Sequence, residues 1–248
     1  MSAVSLLLNP PPSLLRLPLI GWFFSSIGKK TMVALTGIGL VLFAAGHLLG
    51  NMTFFLGPDA INTYAVKLHS LGPLLWVVRL GLLAVVGLHI YFTMLLWVEN
   101  RKARPQKYAV FAPMKTTVFA RSMRLSGLFV LAFIIFHLAH FTVRIIDPSY
   151  ANLRTMLDGK EVHDVYAMVV LGFSNPIISV LYVIALFLLS LHLSHGIASL
   201  FQTLGVTNKR FRPLFEFMAR AVAWLLFLGY SSIPLSVILF GVGKSHIS

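Results

Sequence analysis

Five stretches of this chain, near residues 31–56, 73–98, 122–146, 176–202 and 215–240, are long and carry at most two charged side chains each. Crossing roughly 30 Å of hydrocarbon takes about 20 mostly apolar residues in a helix. Each stretch exceeds that. Lipid offers no partner for backbone N–H and C=O groups, so such segments cross it as helices that satisfy their own hydrogen bonds. Only 11% of the residues are charged, against about 25% in a soluble domain. The predicted fold class is therefore all-α and integral to a membrane: a five-transmembrane-helix bundle. Residues 1–30 are expected to form an N-terminal cytoplasmic or interfacial segment, and residues 31–248 the membrane domain. Pro10, Pro11, Pro12 and Pro18 break the first segment too often for a sixth span. It lacks a basic start and a small-residue cleavage site, so it does not read as a signal peptide. Leu14 to Phe24 is expected along the interface.

Charge then orients the bundle. One side carries Arg16, Lys29, Lys30, the cluster from Arg101 to Arg124, and Lys209, Arg210, Arg212 and Arg220. That is fourteen of the twenty Lys and Arg residues. The opposite side carries six, together with five of the seven acids: Asp59, Asp147, Asp158, Glu161 and Asp164. Positive charge stays inside, which places the N-terminus in the cytoplasm and the C-terminus outside. The net charge of +13 is thus mainly a topology signal. No basic stretch forms a soluble domain, so a nucleic-acid partner is not expected. There is no cysteine, which excludes disulfides, iron–sulfur ligation, thiolate haem ligation and covalent haem attachment within this chain.

Four of the spans hold a deep histidine: His47, His89, His137 and His192. An ionisable side chain within a span is a functional-site hypothesis by default, and histidine is a common axial ligand of haem iron. The first span rises from the inside, which puts His47 roughly 24 Å above Thr31 at 1.5 Å per residue. The second descends from Pro73 and leaves His89 near the inner face. By the same reasoning His137 lies near the outer face and His192 near the inner. Depth pairs His47 with His137 and His89 with His192, about 15 Å apart in height. Two bis-histidine b haems, one toward each face, follow. His140 and His195 stand three residues beyond His137 and His192, close to the same face, and each is an alternative to its neighbour as a ligand. Hydrogen bonding to a carbonyl, a haem propionate or a quinone is their plainer reading. His69, His163 and His246 are expected on the solvent side. Small residues beside the histidines (Ala44-Ala45-Gly46, Gly50, Gly87 and Gly196) suit a flat macrocycle or close helix packing equally.

The segments Ser25-Ser26-Ile27-Gly28-Lys29-Lys30, Ala34-Leu35-Thr36-Gly37 and Gly46-His47-Leu48-Leu49-Gly50-Asn51 resemble the start of the di-haem cytochrome b membrane-anchor subunit of succinate dehydrogenase/fumarate reductase. So do Asp164-Val165-Tyr166-Ala167-Met168-Val169-Val170 and Gly172-Phe173-Ser174-Asn175-Pro176. The densest likeness is Leu191-His192-Leu193-Ser194-His195-Gly196, running on to Ser199 and Phe201-Gln202-Thr203-Leu204-Gly205. The resemblance covers nearly all of the chain from about residue 22. It implies five helices, two b haems, and ligands at His47, His89, His137 and His192, which favours the first histidine in each of the two close pairs. It further implies a flavoprotein and an iron–sulfur subunit on the cytoplasmic side, electron transfer to a membrane quinone, menaquinone above all, and a bacterial-type inner (cell) membrane. A higher oligomer is compatible with it.

Cofactor-binding candidates follow from charge pairing. Arg79 and Arg144 are candidates for outer haem propionates. Arg144 lies about two turns beyond His137 and so on roughly the same face. Lys29, Lys30, Arg121 and Arg124 are candidates for the inner haem. Snorkelling to the interface is the plainer account of each. Quinone candidates at the outer end are Asn51, His69, Ser70, His140 and Arg144. No catalytic residue for dicarboxylate chemistry is visible, which fits its delegation to partners. The basic segment from Glu99 to Arg124 is a candidate docking surface for them. Two other readings share the composition: a di-haem cytochrome b subunit of another membrane dehydrogenase or reductase, and a non-haem proton-coupled transporter. The transporter predicts internal repeats, and none stands out.

Overall fold

The computed structural model describes residues 11–103 and 118–247. Among them, five helices are long and apolar enough to cross a membrane: Ser26–Leu56, Pro73–Lys102, Met123–Thr142, Pro176–Thr203 and Arg212–Phe240. The protein is a multi-pass all-α membrane bundle. Proline opens the second, fourth and fifth spans, where its missing N–H costs nothing. The Asn175 side chain caps the fourth by accepting from the N–H groups of Ile177 and Ile178. Gly241, at φ +67°, ends the fifth in the left-handed conformation that glycine adopts freely.

The first span begins at Ser26 rather than near residue 31. The reason is local. Ser25 Oγ accepts from Gly28 N at 3.0 Å and donates to Trp22 O at 2.7 Å. This folds the span sharply onto the short helix Pro18–Phe24, whose Leu19, Trp22 and Phe23 are exposed. A Cβ on Gly28 would stand 1.9 Å from Trp22 O, so only glycine fits there.

The first and fourth spans are central. The first packs on the second, fourth and fifth, and the fourth on the first, third and fifth. Tyr230 Oη on the fifth span donates to Ala44 O on the first at 2.7 Å. Large apolar side chains such as Leu42, Val77, Leu128, Ile184 and Leu225 point outward, as lipid-facing residues do. At the other end of the first span, Lys29 is buried and pairs with Glu99 at the end of the second span. Glu99 is half-exposed. Glu99→Gln removes the charge opposite a buried ammonium and is expected to lower stability by about 1–2 kcal/mol, read as detergent-solubilised thermal unfolding. An unchanged midpoint would refute this contribution.

The connections at the end that the charge rule predicts to lie outside, called outer from here on, are more ordered than apolar patterning predicts. They contain a helix at Pro58–His69, a hairpin of β1 (Arg154–Leu157) with β2 (Lys160–His163), and an apolar helix at Val165–Ser174. The hairpin turns on Asp158-Gly159, both at positive φ, the pairing that a two-residue turn demands. Phe54, Ile61, Tyr166, Val170 and Phe173 form a continuous core with Tyr182, Ile233 and Val237 of the bundle.

Candidate functional site

The four deep histidines sit as two pairs on four different spans. At the outer end the ring centres of His47 and His137 are 6.0 Å apart, with their planes inclined at 78°. His47 stacks on Phe43, and its other side faces Tyr230. At the inner end His89 and His192 lie within electrostatic reach of each other. No cluster of three or more His, Cys, Asp or Glu side chains able to hold a metal occurs among the described residues. Paired imidazoles instead suit a metal that brings its own in-plane donors, as haem iron does.

The inner pair is built by a rule. Thr36 Oγ1 lies 3.1 Å from His89 Nδ1, and Ser126 Oγ lies 3.2 Å from His192 Nδ1. The Thr36 hydroxyl donates to Met32 O at 2.6 Å, so it accepts from His89 Nδ1–H. Ser126 donates to Met123 O in the same way and accepts from His192. Both tautomers are thereby fixed with the Nε2 lone pair left for a ligand. A glycine follows each hydroxyl. A Cβ on Gly37 would lie 3.6 Å from His89 Cε1, and one on Gly127 would lie 3.4 Å from His192 Cε1. The rings rest against bare backbone.

These residues reveal a repeat. Thr36-Gly37 precedes His47 by the same eleven residues that separate Ser126-Gly127 from His137. Eleven residues are three turns, so hydroxyl and histidine share a helix face, roughly 16 Å apart along the axis. The first and third spans each carry an inner clamp and an outer histidine. A two-residue signature in an apolar background does not stand out without the structure.

The third span departs from the expected course. Its α-helix ends at His137, and Leu138–Thr142 forms a π-helical turn, a feature often found at functional sites. Arg144 follows at φ +62°. Arg144 therefore does not share the face of His137, because the helix does not continue to it. Its guanidinium instead donates to His163 Nε2 at 3.3 Å. The π turn buries His140 completely, and its Nδ1 lies 3.0 Å from Tyr182 Oη. The same hydroxyl is 3.3 Å from His137 Nδ1. His140 Nε2 is buried with no partner among the described residues.

His163 and His246 both lie outside the spans, and each has a side-chain partner there. His163 is half-buried, and its Nδ1 donates to Leu153 O at 3.0 Å while Nε2 faces Arg144. Burial holds its imidazole below the ordinary histidine value, opposed by the Leu153 carbonyl and reinforced by Arg144 and Arg154. His246 Nε2 pairs with Asp164 Oδ2 at 2.8 Å. His69 is exposed as expected and bonds to Ala65 O.

The remaining candidates are scattered. Asn51 folds back onto His47 O at 2.7 Å, and Ser70 onto Lys67 O. Arg79 is exposed and lies over Trp76. Arg124 lies over Trp97, which joins the third span to the second. Lys30 is exposed, and His195 is half-buried one turn from His192. The side chain of Arg121 and residues 104–117 of the basic segment lie outside the described residues.

Residues 98–227, just over half the chain, match the family model of the succinate dehydrogenase/fumarate reductase transmembrane subunit. The match takes in His137, His140, His192 and His195 and stops short of His47 and His89. No curated protein and no solved structure matches the chain.

Proposed function

The chain belongs to the succinate dehydrogenase/fumarate reductase transmembrane-subunit family, and we propose that it is the anchor through which that complex exchanges electrons with membrane quinone. In this reading His89 and His192 would hold an inner b haem, and His47 and His137 an outer one. The observation that carries it is the 6.0 Å between the His47 and His137 ring centres. Two imidazoles bound at about 2 Å on opposite sides of one metal have ring centres about 6 Å apart. The bound haems would supply one-electron redox chemistry at two depths.

The chain's own residues do the rest. Thr36 and Ser126 hold the inner imidazoles with Nε2 bare. At the outer site Tyr182 accepts from His137 Nδ1–H and donates to His140 Nδ1, which leaves the His140 proton on the buried Nε2. Lys30, Arg121 and Arg124 are the candidates for inner propionates, and Arg79 and Arg144 for outer ones. Lys29 is the weaker candidate, its charge already met by Glu99. Quinone, menaquinone by the family resemblance, would bind toward the outer end, where Asn51, His69, Ser70, His140 and Arg144 are the candidates. The flavoprotein and iron–sulfur subunits would dock on the side rich in Lys and Arg, the cytoplasmic side of a bacterial-type cell membrane. The N-terminus would lie inside and the C-terminus outside.

The test is haem content and electron entry in the complex purified through this chain. Pyridine haemochrome quantitation is expected to give two b haems per chain, both reducible by succinate. One haem or none would overturn the di-haem reading. Two haems that succinate does not reduce would overturn the assignment of partners.

A further inference from the structure

We propose that Thr36 and Ser126 are positioning residues that set the ring planes and the redox balance of the inner pair, and that the outer pair has such a hydroxyl on one ring only, shared with His140. The inference rests on the di-haem reading and goes beyond it. Both inner imidazoles give Nδ1–H to a hydroxyl on the neighbouring span, at 3.1 and 3.2 Å. Both hydroxyls are anchored in turn, Thr36 on Met32 O and Ser126 on Met123 O. Gly37 and Gly127 provide the flat backbone against which the rings lie. Two contacts thus fix each ring: a hydroxyl and a glycine.

The outer pair is different. His137 Nδ1 shares the Tyr182 hydroxyl with His140, and no hydrogen bond to the His47 ring occurs among the described residues. An acceptor on the distal nitrogen makes an imidazole a stronger donor to metal and holds it in one orientation. A stronger donor stabilises the oxidised iron. The double clamp therefore biases the inner haem toward the ferric state relative to a site without it. Electrons are then not trapped beside the basic face but pass outward.

The experiment uses the whole complex with Thr36→Val and Ser126→Ala, and with Thr36→Ser and Ser126→Thr as conservative partners. The inner haem is the component absent from His89→Ala. Thr36→Val and Ser126→Ala are expected to keep both haems. Each raises the reduced-to-oxidised ratio of the inner haem at a fixed ambient potential by about tenfold, equivalent to about 59 mV for one electron. The low-spin ferric signal of that haem, which reports the angle between its imidazoles, should shift with it. Thr36→Ser and Ser126→Thr should restore both readouts. Loss of the inner haem from Val and Ala variants, with retention in the hydroxyl-bearing ones, also supports the clamp. An unchanged signal and potential in both Thr36→Val and Ser126→Ala would overturn it, as would loss of the haem from Thr36→Ser. A wild-type complex without haem would overturn the di-haem reading itself, a result visible before any variant is made.

Discussion

His89→Ala and His192→Ala should each remove one and the same b haem, and His47→Ala and His137→Ala the other. Each variant then holds half the wild-type haem. The four residues lie on four spans, so no single helix supplies both histidines of a pair. The structure brings His47 and His137 together at 6.0 Å and sets His89 and His192 within reach of each other at the opposite end. Alanine leaves one imidazole of the pair. His140 does not stand in for His137, because the π turn directs it into Tyr182 and buries it. His140→Ala is accordingly expected to retain both haems. Reduced-minus-oxidised spectra of the four alanine variants check this. Loss of the same spectral component from His47→Ala and His89→Ala would show that the pairing runs along neighbouring spans rather than by depth.

The bundle was legible because its signals are long. Five apolar runs and four deep histidines follow from counting residues against a 1.5 Å rise. Counting depth also sorts the four histidines into two groups by height, since the spans alternate in direction. What stayed hidden depends on single turns. The π turn at Leu138–Thr142 has no compositional marker, so an unbroken helix placed Arg144 on the wrong face. The Val165–Ser174 helix, part of the cap that it forms with the Pro58–His69 helix and the hairpin, is too short to span and looks like any apolar run. The partners of His163 and His246 stay hidden because Arg144 and Asp164 are 19 and 82 residues away. Asp158-Gly159 is a hairpin signal that was there to be read. The hydroxyl-glycine pairs were readable too, but only once the structure showed what stands opposite them.

The cap is expected to govern the outer site through Asn62. This side chain is almost completely buried and makes three hydrogen bonds. Its Oδ1 accepts from Val165 N at 2.8 Å and Tyr166 N at 3.2 Å, and its Nδ2 donates to Asp164 Oδ1 at 3.1 Å. Asp164 also caps the helix through Ala167 N and holds His246. Asn62→Ala leaves two buried N–H groups and a carboxylate short of partners, a loss of about 3 kcal/mol. The Val165–Ser174 helix packs Phe173 on Tyr182 and Phe141, so its loosening reaches the hydroxyl shared by His137 and His140. Hydrogen exchange at Val165 and Tyr166 should accelerate first, and the outer haem should be lost before the inner one on heating. Burial alone would raise the Asp164 carboxyl. The Ala167 N–H, His246 and Asn62 outweigh it and hold it below the usual 3.8. A carboxyl depressed in the folded state stabilises the cap above its unfolded value and loses that contribution as pH falls through the folded one. Acid below about pH 3.8 should therefore open the cap of the wild type. Asp164→Asn keeps a capping side chain but removes this acid step. Unchanged exchange at Val165 and Tyr166 in Asn62→Ala would sever the cap from the outer site.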